Sequence, residues 1–220
     1  DINKFNDYYK IFIKQTSYLL KSIGVNLNTV PVLDLRYKKT HNIIGNRSFG
    51  SNPKIVSKIG NHFISEYHKH KIGTSIKHIP GHGLAKVDSH KRTPIVKEGL
   101  NKLIKTDFYP FKNKQSLLAM TAHIIYQKID PKNTATHSSI VIKLIRKTIG
   151  FKNLIISDDI SMKGLKFDIA ENVKKSFSAG CNLALHCNGK IPEMIIVAKN
   201  SPKVDSFILK KTSQFYKILS

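Results

Sequence analysis

The sequence has no tryptophan, two cysteines and four arginines, and nowhere does it run through the roughly 18 consecutive apolar residues a membrane helix needs. That last absence leaves no segment able to cross a bilayer as a helix, and no membrane partner is expected. Cys181 and Cys187, spaced C-x5-C, give no disulfide framework. Beside an apolar stretch they read as a pair of buried thiols, which fits a reducing compartment. Neither HExxH nor a paired CxxC occurs, so zinc has little support and no metal or other cofactor is expected. GxGxxG is also missing, which argues against a dinucleotide-binding sheet.

Acidic residues are scarce. There are 14 Asp and Glu against 37 Lys and Arg, a formal charge of +23 and a pI near 10.0. Such a balance attracts nucleic acid and other anionic polymers. The basic residues are nearly all lysine and are scattered along the chain, whereas specific nucleic-acid readers cluster arginine and interleave aromatics for stacking. A solvated, lysine-biased surface is therefore expected, with no specific nucleic-acid partner. At 220 residues and 40% apolar the chain can bury one sizeable core, and nothing in it resembles a linker. Residues 1–220 read as a single domain. The chain starts at Asp1 without an initiator methionine and reads as a fragment of a longer protein.

Phe5, Tyr8, Tyr9, Phe12, Tyr18, Leu19 and Ile23 recur at helical spacing, and Gly24 is a stop. Asn26 to Leu35 reads as a strand made irregular or placed at an edge by Pro31. In the glycine-containing loop that follows, Arg47 fits bidentate recognition of a ligand and equally an arginine that ties down its own loop. A helix is predicted from about Pro53 to His70, and a strand through Ile72, Thr74 and Ile76. Beyond it, Val96 to Ile104 reads as helix, Leu117 to His123 as strand, Ile140 to Ile149 as helix before Gly150, and Leu154 to Asp159 as strand. Asn172 to Ala179 reads as helix before Gly180, and Leu183 to Cys187 as a short strand.

The stretch from Lys77 to His90, KHIPGHGLAKVDSH, joins a strand to a loop opened by Pro80, Gly81 and Gly83. Asp88 and His90 are spaced i, i+2, so on an extended segment both side chains leave the same side, where a carboxylate can orient an imidazole. A surface hydrogen bond satisfies the same spacing. His78, His82 and His90 with Asp88 also offer metal-ligand atoms, the weakest of the three options.

Strand and helix alternate, and the five strands are continuous apolar runs, as in a parallel sheet covered on its faces. Four of the runs end in an ionisable residue: Asp34, His78, His123 and Asp158. Such residues at the carboxyl ends of parallel strands are where a (β/α)8 TIM barrel builds its active site. The fold class expected is thus α/β, an incomplete barrel in which about three of the eight βα units are missing.

PVLDL (31–35), IGNRSFG (44–50), KHIPGHG (77–83), DSH (88–90), MTAHIIY (120–126), IGFKNLIISDDISM (149–162) and AGCNLALHCNG (179–189) carry a resemblance over nearly the whole chain. The sequence resembles bacterial β-N-acetylglucosaminidases (β-hexosaminidases) of glycoside hydrolase family 3, the type that serves peptidoglycan recycling. The resemblance implies an N-terminally truncated TIM barrel that removes terminal β-N-acetylglucosamine from muropeptide fragments with retention of configuration. It implies Asp158 as nucleophile, His90 as general acid/base and Asp88 as its partner. Arg47, Lys77 and His78 would bind the sugar. It further implies a cytoplasmic enzyme, a small carbohydrate as partner and a monomer. Leu84 and Asn182 depart from residues common in the family, as do the missing units, which in the family carry an acid and an arginine that bind the sugar. A β-glucosidase or phosphorylase on the same scaffold is the alternative within the class, and an inactive basic binding protein the alternative outside it.

Overall fold

The computed structural model describes residues 2–38, 44–89 and 92–219. Helix α1 (Ile2–Ser22) ends where Gly24 takes φ +78° and the N–H of Val25 reaches back to the Leu20 carbonyl. Its inward face is Tyr9, Ile13, Ser17 and Leu20, packed on Phe63, Tyr67 and Ile72. Most of the expected aromatic stripe lies elsewhere: Tyr8, Phe12, Tyr18, Leu19 and Ile23 are exposed, and the Phe5 side chain lies outside the described residues. The helix is apolar on two faces and only one is covered.

Asn52 caps helix α2 (Pro53–Lys69) by accepting the N–H groups of Lys54 and Ile55, with Pro53 supplying the preset φ of the first turn. Five parallel strands form the sheet: β1 (Leu27–Asn28), β2 (Gly73–Ile79), β4 (Leu118–Thr121), β6 (Leu154–Asp159) and β7 (Leu183–Leu185). They coincide with the five expected strands, and Pro31 does leave β1 short and at the edge, continued by one bridge from Val32 to Lys77. A second, two-stranded pairing joins β3 (Ile95–Val96) and β5 (Ile125–Tyr126).

In the sheet the order of the five strands equals their order in the chain. Each strand is added on the same side as the last, so right-handed crossovers put every connecting helix on one face. That is single winding, the winding of a barrel wall; a doubly wound sheet reverses its order at a switch point. The crossovers are α2, α3 (Leu100–Lys105), α4 (Ser139–Leu144, continued as a π-turn over Ile145–Ile149) and α5 (Ile169–Ala179). The core fills the space between wall and helices with Leu33, Ile76, Phe108, Phe111, Ile145 and Phe151, all fully buried.

Two expectations need correction, and two helices were not anticipated. Val96 to Ile104 is not one helix: Ile95 and Val96 pair with β5, and Gly99, in extended conformation, delays the helix to Leu100. Cys181 is buried, but Cys187 is exposed because β7 ends at Leu185 before reaching it. Two helices went unread, α6 (Ile191–Asn200) and α7 (Ser206–Leu219), neither of which buries a residue fully.

Candidate active site

The carboxyl ends of β1, β2 and β6 meet around two aspartates. Asp34, on the segment continuing β1, is fully buried. Its oxygens accept the backbone N–H of His82 at 2.7 Å and of His78 at 3.2 Å, and the Nδ1–H of His78 at 2.7 Å. Burial opposes the charge, yet His78 and His82 hold the carboxyl below the usual aspartate range. An ionised carboxylate only accepts, so Nδ1 of His78 carries the proton and the ring is oriented. Its other nitrogen, Nε2, lies 3.8 Å from Oδ2 of Asp158.

Asp158 sits in β6 with 18% of its side chain exposed, open enough to meet a ligand. Burial pushes its carboxyl up, but His78, then His123, the Asp159 N–H at 2.8 Å and Lys77 together bring it below the ordinary value. Asp158 is therefore an ionised carboxylate in a partly dry, positively biased pocket. The neighbouring Asp159 is structural. Its carboxylate accepts from the Ser161 hydroxyl and N–H and from the Cys187 N–H, which fastens the ends of β6 and β7. His123 is fully buried after β4, its Nε2–H donating to the Asp159 carbonyl at 3.0 Å and its Nδ1 accepting from Thr136.

Lys77 donates to the Thr29 hydroxyl at 3.2 Å. Burial lowers its pKa, Arg47 lowers it further and Asp158 and Asp34 oppose both, so all four charges share one neighbourhood. Arg47 reaches that neighbourhood from a 3-10 turn, Gly45–Arg47, which Ser48 ties down by donating to the Asp34 carbonyl at 2.7 Å.

The loop after β2 is pressed onto the core. A Cβ on Gly83 would stand 2.3 Å from the Leu35 carbonyl oxygen, and one on Gly81 would stand 2.8 Å from Asp107, so only glycine allows this approach. Tyr126 donates its hydroxyl to the Gly81 carbonyl from below. His82 is buried with its pKa pushed down to about 4, mainly by burial, and its Nε2 lies 3.2 Å from the Ser89 hydroxyl. His82 thereby links Asp34 to the segment that carries Asp88, which is half-buried and partnered. His90 lies outside the described residues.

The structure thus brings together Asp158, His78, Lys77 and Arg47, and leaves Asp88 on the neighbouring loop. It adds Asp34 and His123, which the sequence placed among the ionisable strand ends without a specific role, and His82, which it offered only as a possible metal ligand. Among the described residues, no three His, Cys, Asp or Glu side chains form a group able to hold a metal.

Residues 6–210 match the model of the glycosyl hydrolase family 3 N-terminal domain. A β-hexosaminidase of Neisseria meningitidis serogroup C is 35% identical over 174 residues, 77% of this chain and 48% of that protein. One from Pseudomonas aeruginosa is 30% identical over 183 residues, 81% of this chain and 55% of that protein. The chain spans about half the length of these curated relatives. Native NagZ of Neisseria gonorrhoeae superposes with a TM-score of 0.82 at 29% identity, over 95% of this chain and 62% of that one. A family 3 β-N-acetylglucosaminidase of Paenibacillus shares the fold, with a TM-score of 0.82 at 22% identity over 95% of this chain and 43% of that one.

Proposed function

The chain belongs to the glycosyl hydrolase family 3 N-terminal domain family, and from that premise we propose that it is the catalytic-domain portion of a retaining β-N-acetylglucosaminidase acting on muropeptide fragments. The observation that carries the reading is Asp158, a carboxylate held ionised at the carboxyl end of β6 and faced by His78 at 3.8 Å. Similarity to β-hexosaminidases supports the choice of sugar. We read residues 1–220 as one domain, its five strands as five of the eight of a (β/α)8 barrel, and the protein as a cytoplasmic monomer.

Asp158 attacks the anomeric carbon as oxocarbenium-like charge develops there, and forms a covalent glycosyl-enzyme. His90, held by Asp88, gives a proton to the leaving oxygen and takes one from water in the second step, which inverts the carbon again and so retains its configuration. His78, fixed by Asp34, and Lys77 and Arg47 hold the sugar's polar groups. Because the buried Asp34 fixes the His78 ring, little ordering of that side chain is left for the moment of binding. A dyad of aspartate and histidine replaces the second carboxylate that most glycosidases use.

The test is release of p-nitrophenol from its β-N-acetylglucosaminide. The wild-type chain is expected to turn over, Asp158→Ala to lose roughly a thousandfold or more, and His90→Ala about a hundred- to ten-thousandfold. An inert wild-type chain, or an Asp158→Ala variant as active as wild type, overturns the reading.

A further inference from the structure

The strand ladder around the candidate site is irregular at two points, and each point carries one of its side chains. Between β6 and β7, Ile156 pairs with Leu183 but Asp159 with Leu185, so Ser157 and Asp158 oppose the single residue Ala184. Between β2 and β4, Lys77 pairs with Met120 but Ile79 with Thr121, which leaves His78 as the extra residue. Bulges are rare between parallel strands and re-aim a side chain where they occur. The bulge in β2 is fastened by Asp34, which accepts from the N–H and the ring of His78. The bulge in β6 is held by two other residues, Ser157 and His123.

Ser157 is fully buried, and its hydroxyl oxygen accepts the Leu185 N–H at 2.9 Å. A side chain thereby takes a donor that a regular ladder would give to a backbone carbonyl. The Leu185 carbonyl in turn accepts the Ile160 N–H at 2.9 Å, which closes the bulge on its far side. His123 acts from the end of β4, through the Asp159 carbonyl at 3.0 Å. A carbonyl only accepts, so Nε2 carries the proton. Nδ1 then accepts from the Thr136 hydroxyl at 2.7 Å, and the Thr136 oxygen takes the Thr121 hydroxyl at 2.8 Å. All three side chains are buried from solvent, so this chain of bonds sets both the tautomer and the plane of the ring. With Asp159 so held, its N–H donates to Oδ1 of Asp158 at 2.8 Å and leaves Oδ2 as the oxygen that faces His78.

We propose that Ser157 and His123 are positioning residues: they hold the β6 bulge from its two sides and so fix the aim of the Asp158 carboxylate, with Oδ1 committed to the Asp159 N–H and Oδ2 presented to the substrate. The inference rests on the reading of Asp158 as the nucleophile. A carboxylate on an unclamped bulge meets the anomeric carbon in a wider spread of angles, which costs rate rather than affinity.

The experiment measures Ser157→Ala, His123→Phe and His123→Gln by hydrolysis of p-nitrophenyl β-N-acetylglucosaminide across pH and by carbon-13 NMR titration of the Asp158 carboxyl. Ser157→Ala and His123→Phe are expected to lower kcat about tenfold or more with KM within about twofold. Loosening the Asp159 N–H weakens a donor to the ionised form, so the Asp158 titration and the acid limb of kcat/KM are expected to move to higher pH. The titratable groups that act on Asp158 are His78 and Lys77 of β2, His82 in the loop beyond, His123 after β4 and Cys187 after β7. Ser157→Ala alters none of them, so its shift reports the clamp alone, even where His123→Phe does not fold. His123→Gln, whose amide can still donate to the Asp159 carbonyl, is expected to keep most of the rate. An unchanged kcat in Ser157→Ala, losses confined to thermal stability, or equal losses in His123→Gln and His123→Phe overturn the proposal. If the wild-type chain is inert, the glycosidase reading fails, and the NMR titration still decides the clamp: an upward shift in Ser157→Ala upholds it, and an unmoved titration overturns it.

Discussion

At the scale of single residues, the candidate site separates charges by their surroundings. Asp34 and Asp158 are buried or nearly so, yet both are held low by histidines and N–H donors. Asp107, also buried, has the Tyr37 and Thr106 hydroxyls and a weaker pull from the Leu84 N–H, and burial outweighs them and pushes it up to about 6. An unfolded aspartate titrates near about 3.9. Between those two values the folded state binds more protons, so this group's contribution to stability falls as pH rises through the window. Asp107→Asn lacks that slope. Relative to the variant, the wild type is expected to lose about 1 to 3 kcal/mol of unfolding free energy between pH 4 and pH 8, measured by urea denaturation. A difference that does not change with pH would remove Asp107 from the account. The sequence made Asp158, His78 and Lys77 legible, because each ends an apolar run and family likeness gives each a role. It left Asp34 unassigned and His82 a loop histidine. Their hydrogen bonds join positions more than 40 residues apart, and no local pattern encodes such a contact.

At the scale of elements, glycines set how closely the loop after β2 approaches the wall. Gly83 faces a backbone carbonyl that has nowhere to move, whereas Gly60 in α2 faces the end of the Leu33 side chain. Gly83→Ala is expected to cost about 2 kcal/mol or more and to reduce activity with it. Gly60→Ala is expected to stay within about 1 kcal/mol, since the helix gains from alanine what repacking of Leu33 loses. Thermal unfolding of the two variants measures the contrast, and equal losses would contradict it. The strands and the long helices were readable because continuous apolar runs and helical spacing are strong local signals. The Val96 to Ile104 segment misled because Ile95 and Val96 are recruited by Ile125 and Tyr126, a tertiary pairing that overrides local preference. Helices α6 and α7 went unread because neither presents a clearly buried stripe.

At the scale of the whole molecule, the +23 charge is spread over the surface and only a part of it borders the candidate site. Binding to a mixed-sequence duplex DNA is expected to be independent of sequence, to fall steeply between 50 and 200 mM salt and to be the same in Asp158→Ala. Affinity that survives high salt, or that depends on Asp158, would point instead to a dedicated nucleic-acid site. Apolar residues remain uncovered on both outer helices, Ile11, Phe12 and Leu19 on α1 and Ile191, Met194 and Ile195 on α6. The wall between them is singly wound, and its reactive cluster draws on Asp34, His78 and Asp158 from the first, second and fourth strands of the sheet. Helices form in about a microsecond, but pairing of parallel strands waits for long loops to close. During refolding, then, helical signal is expected to return before β6 has docked, and until that moment the chain owns every residue of its candidate site and has no site.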